Sequence, residues 1–138
     1  MSEEKDIWIY IRPFDMFLIY CWIPWKEINK ERCESVRRNI HMKEKLLEEA
    51  IQIRARAYVP YSEFPVGAAL LTSSGNIYTG CNIENAAYPS TCCAERVAIF
   101  KAISDGETEF TEMAVAADTK RPVPPCWTCN TISRPAGH

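Results

Sequence analysis

A chain of 138 residues holds one domain's worth of core, and 47% apolar against 25% charged residues is the balance of a globular protein, which excludes a wholly disordered chain. The formal net charge of −2 supplies no broad basic surface, which argues against nucleic acid as a partner and suits a small neutral ligand. Seven cysteines, odd in number, metal-like in spacing and preceded by no basic leader, point to a reduced, cytoplasmic setting rather than a disulfide scaffold.

The first forty residues differ from the rest. Residues 7–11 and 16–25 are apolar and aromatic and hold three of the four tryptophans, Trp8, Trp22 and Trp25. Arg12, Pro13 and Asp15 interrupt them, and the remaining runs fall short of the roughly 20 residues that a membrane span requires, so no membrane association is expected. Residues 2–6 are acidic where a signal peptide is basic. Residues 1–41 are therefore read as an N-terminal extension: an interfacial docking segment, a partner-binding patch or an added strand, or else upstream sequence foreign to the domain. Residues 42–138 are the domain itself. Within the extension, residues 26–41 are polar and behave as a linker or an exposed helix.

From Met42 the pattern becomes regular. Leu46, Leu47, Ala50, Ile51, Ala57 and Tyr58 recur at spacings of three and four, which predicts an amphipathic helix ending before Pro60. Residues 65–72 read as a buried strand, 73–76 as its turn and 77–83 as the returning strand of a hairpin. The small residues Gly67, Ala68 and Ala69 allow another layer close to the sheet. Residues 93–103 are apolar almost all round and predict a central buried helix, ended by Ser104-Asp105-Gly106. Residues 113–117 are a third strand, expected parallel to one of the first two because a helix intervenes. Residues 122–125 form a stiff loop leading into a second helix N-terminus. Helices alternating with strands place the chain in the α/β class.

The chemistry lies at two of these helix starts. Cys93-Ala94-Glu95 opens the central helix, and Pro125-Cys126-Trp127-Thr128-Cys129 opens the last one, where one turn brings both sulfurs to one face. Three thiolates, Cys93, Cys126 and Cys129, would hold Zn²⁺ and leave a fourth tetrahedral position for water, acidified to a pKa of about 7. Glu95, not a ligand, would take and return the proton. Cys-x-Glu followed by Pro-Cys-x-x-Cys is the pattern of zinc-dependent nucleobase deamination. A closed structural zinc site is the main rival, with Cys92, Cys81 or His138 as fourth ligand; a redox pair leaves Cys93 and Glu95 unexplained. Asn82, Glu84 and Asn85 read either as a polar turn or as partners for sugar hydroxyls, and Phe64 either as core or as an aromatic wall for a flat base.

At these residues the sequence resembles the small homotetrameric bacterial cytidine deaminases. The matching stretches are Ala57-Tyr58-Val59-Pro60-Tyr61-Ser62-Glu63-Phe64-Pro65-Val66-Gly67-Ala68-Ala69-Leu70, Gly80-Cys81-Asn82-Ile83-Glu84-Asn85-Ala86-Ala87-Tyr88, Cys93-Ala94-Glu95-Arg96 and Pro125-Cys126-x-x-Cys129. The resemblance implies a three-layer α/β/α sandwich with a mixed sheet lacking its last strands, zinc on the three cysteines, and hydrolysis of cytidine or deoxycytidine in pyrimidine salvage. It implies proton shuttling by Glu95, ribose recognition by Asn82 and Glu84, base packing on Phe64, base contacts from the Ala94 backbone and Glu95, and hydrogen bonds from Arg96 to the cysteine sulfurs. A homotetramer is implied as well.

Three features depart from the family pattern. Trp127 stands where the family has Gly, Asn130-Thr131 replace the usual Arg-Gln, and only nine residues follow Cys129. They keep two further readings open: an inactive, truncated zinc-binding relative or non-catalytic partner, and a polynucleotide deaminase, which Trp127 alone suggests.

Overall fold

The computed structural model describes residues 33–119 and 126–132. The aromatic N-terminal stretches, the 122–125 loop and His138 lie outside the described residues. The elements run α1 (Cys33–Arg54), β1 (Val66–Thr72), β2 (Ile77–Cys81), a 3₁₀ turn (Tyr88–Ser90), α2 (Ala94–Ser104), β3 (Phe110–Ala117) and α3 (Trp127–Ile132). Among the described residues no helix is long and apolar enough to cross a membrane.

β1 is the centre of the sheet, in the order β2-β1-β3, and its alternation sorts the core into two layers. Ala68 and Leu70 join Ala94, Ala98, Ile99 and Ala102 of α2 on one face. Ala69 joins Leu46 and Ala50 of α1 on the other. Successive strand residues point to opposite faces, so one apolar strand feeds both helices, giving the three-layer α/β/α sandwich. Leu46, Leu70 and Ile99 are fully buried, each contributing about 1.5–3 kcal/mol.

Two glycines set how closely the layers approach. A Cβ at Gly67 would lie 2.0 Å from the Ala50 carbonyl oxygen of α1, and one at Gly80 would lie 2.4 Å from the Ala94 carbonyl oxygen of α2. Both positions therefore exclude any side chain, and α2 rests directly on β2.

The structure corrects several expectations. β3 pairs with β1 antiparallel, from Val66 opposite Ala117 to Thr72 opposite Phe110, and β2 pairs with β1 antiparallel as well, so the described sheet is antiparallel rather than mixed. The helix between β2 and β3 still joins two co-directional strands, as a crossover must, but it carries the chain over β1 instead of placing β3 beside β2. α1 begins at Cys33, so the helical alternative holds for residues 33–41, and it ends at Arg54 rather than near Tyr58. Its last turn tightens through bonds from the Ala55, Arg56 and Ala57 amides to the Gln52, Ile53 and Arg54 carbonyls, leaving Tyr58 exposed. α2 is buried on one face only, with Phe100 and Ile103 each 46% exposed. Its end matches expectation: Gly106 at φ +91° lets the Gly106 and Glu107 amides reach the Ile103 and Ala102 carbonyls.

Candidate metal centre and active site

Cys93 caps α2 in extended conformation (φ −71°, ψ 155°), and its own side chain makes no capping bond. Its thiol is thus free to face the helix that brings the other two cysteines. Cys126 precedes α3 and Cys129 lies in its first turn, with the Cys129 amide donating to Cys126 Sγ at 3.4 Å. Cys93 Sγ and Cys126 Sγ are 3.7 Å apart, Cys126 Sγ and Cys129 Sγ 3.4 Å, and all three sulfurs lie within 4.8 Å of one another. Tetrahedral zinc with bonds of about 2.3 Å to sulfur needs edges of about 3.8 Å, so the cluster fits the ion in donor type and spacing.

Electrostatics at the cluster favour a cation. A hydrogen bond from Cys129, offset in part by burial, and a further one from Arg96 hold Cys93 well below the ordinary thiol range, at about 5. The same bond to Cys93, together with burial, pushes the Cys129 thiol up. Arg96 Nη2 donates to Cys93 Sγ at 3.5 Å and to the Thr91 carbonyl at 2.5 Å, while its buried Nε has no hydrogen-bond partner among the described residues. Its pKa is raised, first by the bond to Cys93.

Glu95 sits in the first turn of α2 and is only 8% exposed. Desolvation, reinforced by charge on Cys93, raises its pKa above the usual carboxylate range. A buried carboxyl one helical step from a thiolate cluster can take up a proton and give it back, which a freely solvated carboxylate does poorly. Ala94 is fully buried.

The segment after β2 ties the site together. The Ile83 and Cys92 amides each donate to the other's carbonyl at 2.9 Å, which fixes the approach to Cys93. Asn82 Oδ1 accepts from the Val66 amide at 2.8 Å and its Nδ2 donates to the Phe64 carbonyl at 2.9 Å. Glu84 Oε2 accepts from the Tyr61 and Ser62 amides at 2.9 and 3.1 Å. The Ser62 hydroxyl leads the causes that lower the Glu84 pKa. Phe64 stands at this loop, 36% exposed.

Neither described alternative for a fourth ligand joins the cysteines. Cys81 Sγ is directed at the Arg56 carbonyl at 3.4 Å and Cys92 Sγ at the Ser90 carbonyl at 3.9 Å. Trp127 is 80% exposed, so its ring does not fill the space among the sulfurs. Sequence reasoning passed over Thr91, the second anchor of Arg96, which nothing in its residue type betrays. It also passed over Gly80, although an isolated glycine within a strand pattern signals close backbone approach.

Likenesses of three kinds accompany this geometry. The family profile described as "Cytidine and deoxycytidylate deaminase zinc-binding region" matches residues 40–137. A cytidine deaminase of Sporosarcina psychrophila is 60% identical over 89 residues, covering 64% of this chain and 65% of the relative, and one of Halalkalibacterium halodurans is 59% identical over 87 residues, covering 63% and 66%. The chain thus spans just under two thirds of these relatives' length. The crystal structure of cytidine deaminase from Burkholderia pseudomallei superposes with a TM-score of 0.63 at 45% identity, over 64% of this chain and 72% of that one.

Proposed function

Because the chain belongs to the family of cytidine and deoxycytidylate deaminases that carry a zinc-binding region, we propose that it hydrolyses cytidine or deoxycytidine to the uridine nucleoside and ammonia. The observation that carries this reading is the convergence of Cys93, Cys126 and Cys129 beside the buried carboxyl of Glu95. Zinc on these three sulfurs supplies the Lewis acidity that makes water a nucleophile near neutral pH.

The chain's own residues do the rest. Glu95 takes the proton of the water that attacks C4 and delivers it to N3; as the exocyclic C4–N bond breaks, the carboxylate takes the second proton from the C4 hydroxyl and passes it to the departing amine, leaving C4 as a carbonyl. Water oxygen ends on C4, and the amine leaves as ammonia, so atoms and charge balance. Arg96 offsets the negative charge of the thiolates and keeps Cys93 in place. The Ala94 backbone and Glu95 address the base, Phe64 packs against its face, and the ribose hydroxyls accept from the Asn82 side-chain amide and donate to the Glu84 carboxylate. The net charge of −2 suits a neutral nucleoside rather than a phosphate backbone.

Within this reading the activity belongs to cytoplasmic nucleoside salvage and the chain acts as a homotetramer, residues 42–138 forming the deaminase unit and 1–41 an extension. The apolar strip of Phe100 and Ile103 on α2 supports self-assembly, since contact between copies would cover it. The test is metal content together with cytidine turnover on the purified full chain, followed by ultraviolet absorbance. About one zinc per chain with uridine formation is expected. Zinc without turnover of cytidine or deoxycytidine would overturn the catalytic reading, and absence of zinc would overturn the metal centre.

A further inference from the structure

The loop that carries Phe64 has little to hold it in place from its own sequence. It bends through Glu63 at φ +53°, a left-handed conformation that costs a non-glycine residue energy, and its internal hydrogen bonds among the described residues run from the Glu63 amide to the Val59 carbonyl at 3.1 Å and from the Phe64 amide to the Ser62 hydroxyl at 3.2 Å. Pro65 follows and has no N–H to extend the β1 ladder.

Asn82 and Glu84 supply what is missing. All four polar groups of Asn82 are spent on the segment from Tyr58 to Val66: its amide donates to the Val66 carbonyl at 3.1 Å, its carbonyl accepts from the Tyr58 amide at 3.0 Å, and its side chain brackets Pro65 by bonding the Phe64 carbonyl and the Val66 amide. The side-chain amide thus imitates the peptide group that proline breaks. Glu84 continues the clamp: its amide donates to the Tyr58 carbonyl at 2.8 Å, and one carboxylate oxygen gathers the Tyr61 and Ser62 amides.

We propose that Asn82 and Glu84 form a latch that positions the Phe64 loop, so that they act on the base through Phe64 and not only on the sugar. This rests on the nucleoside reading for its substrate, and the latch itself does not. The Glu84 carboxylate, which also takes the Ser62 hydroxyl, has lone pairs enough for one more donor, and the second hydrogen of the Asn82 side-chain amide has no partner among the described contacts, so both can reach a ribose hydroxyl while they hold the loop. Sugar contact and base wall are therefore mechanically joined through two residues.

The test uses the full zinc-loaded chain with Asn82→Ala, which removes both the acceptor for the Val66 amide and the donor to the Phe64 carbonyl, and with Glu84→Ala and Glu84→Gln. Amide hydrogen exchange is expected to quicken about tenfold or more at Tyr61 and Ser62 in Glu84→Ala and at Val66 in Asn82→Ala, with Ala68–Leu70 of β1 unchanged as proof that the fold persists. Glu84→Gln, which retains an acceptor oxygen, should restore much of the protection. On kinetics, the variants should raise KM more than they lower kcat on cytidine, and a smaller but clear rise in KM should persist on 2′,3′-dideoxycytidine, which lacks the hydroxyls a sugar-only role would need. Unchanged exchange at Tyr61, Ser62 and Val66, or a defect that disappears on the dideoxynucleoside, overturns the latch. Faster exchange in a chain that turns over neither nucleoside leaves the latch standing and sinks the nucleoside reading instead.

Discussion

Arg96 Nη2 is shared between Cys93 Sγ, 3.5 Å away, and the Thr91 carbonyl, 2.5 Å away, so one guanidinium ties the loop before α2 to the sulfur that α2 presents. Three thiolates around a divalent cation carry an excess negative charge that would blunt its acidity, and Arg96 is the cation placed to offset it. Arg96→Ala is expected to weaken zinc binding by about 10- to 100-fold, read by competition with a chromophoric chelator. Arg96→Lys should recover only part of that, because the ammonium restores the charge without the length and planar geometry that bring Nη2 between sulfur and carbonyl. An unchanged zinc affinity in Arg96→Ala would remove the charge-offset role.

Gly80 is the floor on which the metal-bearing helix stands. A methyl group there would meet the Ala94 carbonyl oxygen at 2.4 Å and the Ala98 amide nitrogen at 2.5 Å, both backbone atoms that cannot swing aside. Gly80→Ala should therefore push α2 outward, cost about 1–3 kcal/mol in denaturant unfolding, and lower zinc content along with turnover. Gly67→Ala provides the contrast. Its methyl would strike the Ala50 carbonyl oxygen in α1, so a comparable loss of stability should leave zinc affinity nearly untouched.

Why the cysteines were legible and the strand order was not follows from the range of each signal. Cys93 with Glu95, and Cys126 with Cys129, are short-range chemical patterns: a spacing of three on one helix turn brings two sulfurs to a common face whatever the rest of the chain does. The two-layer core was legible in the run of small residues on β1, where Gly67 meets α1 as its size suggested. The partner of β3 is a different kind of fact. An intervening helix dictates that β2 and β3 run in the same direction, which they do, but it does not dictate adjacency, and β1 occupies the place between them. Likewise Phe100 and Ile103 read as core because composition does not reveal which face of α2 meets the sheet. The atoms of Asn82 and Glu84 that grip the Phe64 loop are invisible in sequence because backbone amides have no residue type.

The hairpin tip carries an acid-sensitive tie. Glu107 Oε1 accepts from the Ser74 hydroxyl and from Asn76 Nδ2, the latter at 2.8 Å, joining the β1–β2 turn to the segment after α2. These bonds, the Ser74 hydroxyl first, lower the Glu107 pKa. A carboxylate depressed in the folded state stabilises fully above its unfolded value of about 4.3, and that contribution fades as pH falls through the lower folded value. The midpoint of thermal unfolding should therefore drop below about pH 4.5 more steeply in the unaltered chain than in Glu107→Gln, whose own stability should be lower at neutral pH. Parallel pH profiles for the two would show that Glu107 contributes nothing to the acid limb.

Glu95 separates chemistry from architecture. Its carboxyl is buried and resists ionisation, so the fold gains little from its charge, and no cysteine depends on it for position among the contacts described. Glu95→Gln keeps the shape and removes the exchangeable proton. If Glu95 shuttles the proton, the variant should retain about one zinc per chain and unfold at the same or a higher temperature, while kcat on cytidine falls by about 10²- to 10⁴-fold, the usual worth of a positioned acid/base. Glu95→Ala should likewise keep its metal and lose turnover. Cys126→Ala is the opposite case, since removing a ligand should abolish zinc binding and lower stability with it. Metal analysis, thermal unfolding and steady-state rates on the three variants therefore have to diverge in a fixed way; loss of zinc in Glu95→Gln would make Glu95 part of the metal centre's construction, and an unreduced kcat would move the proton transfer to another group.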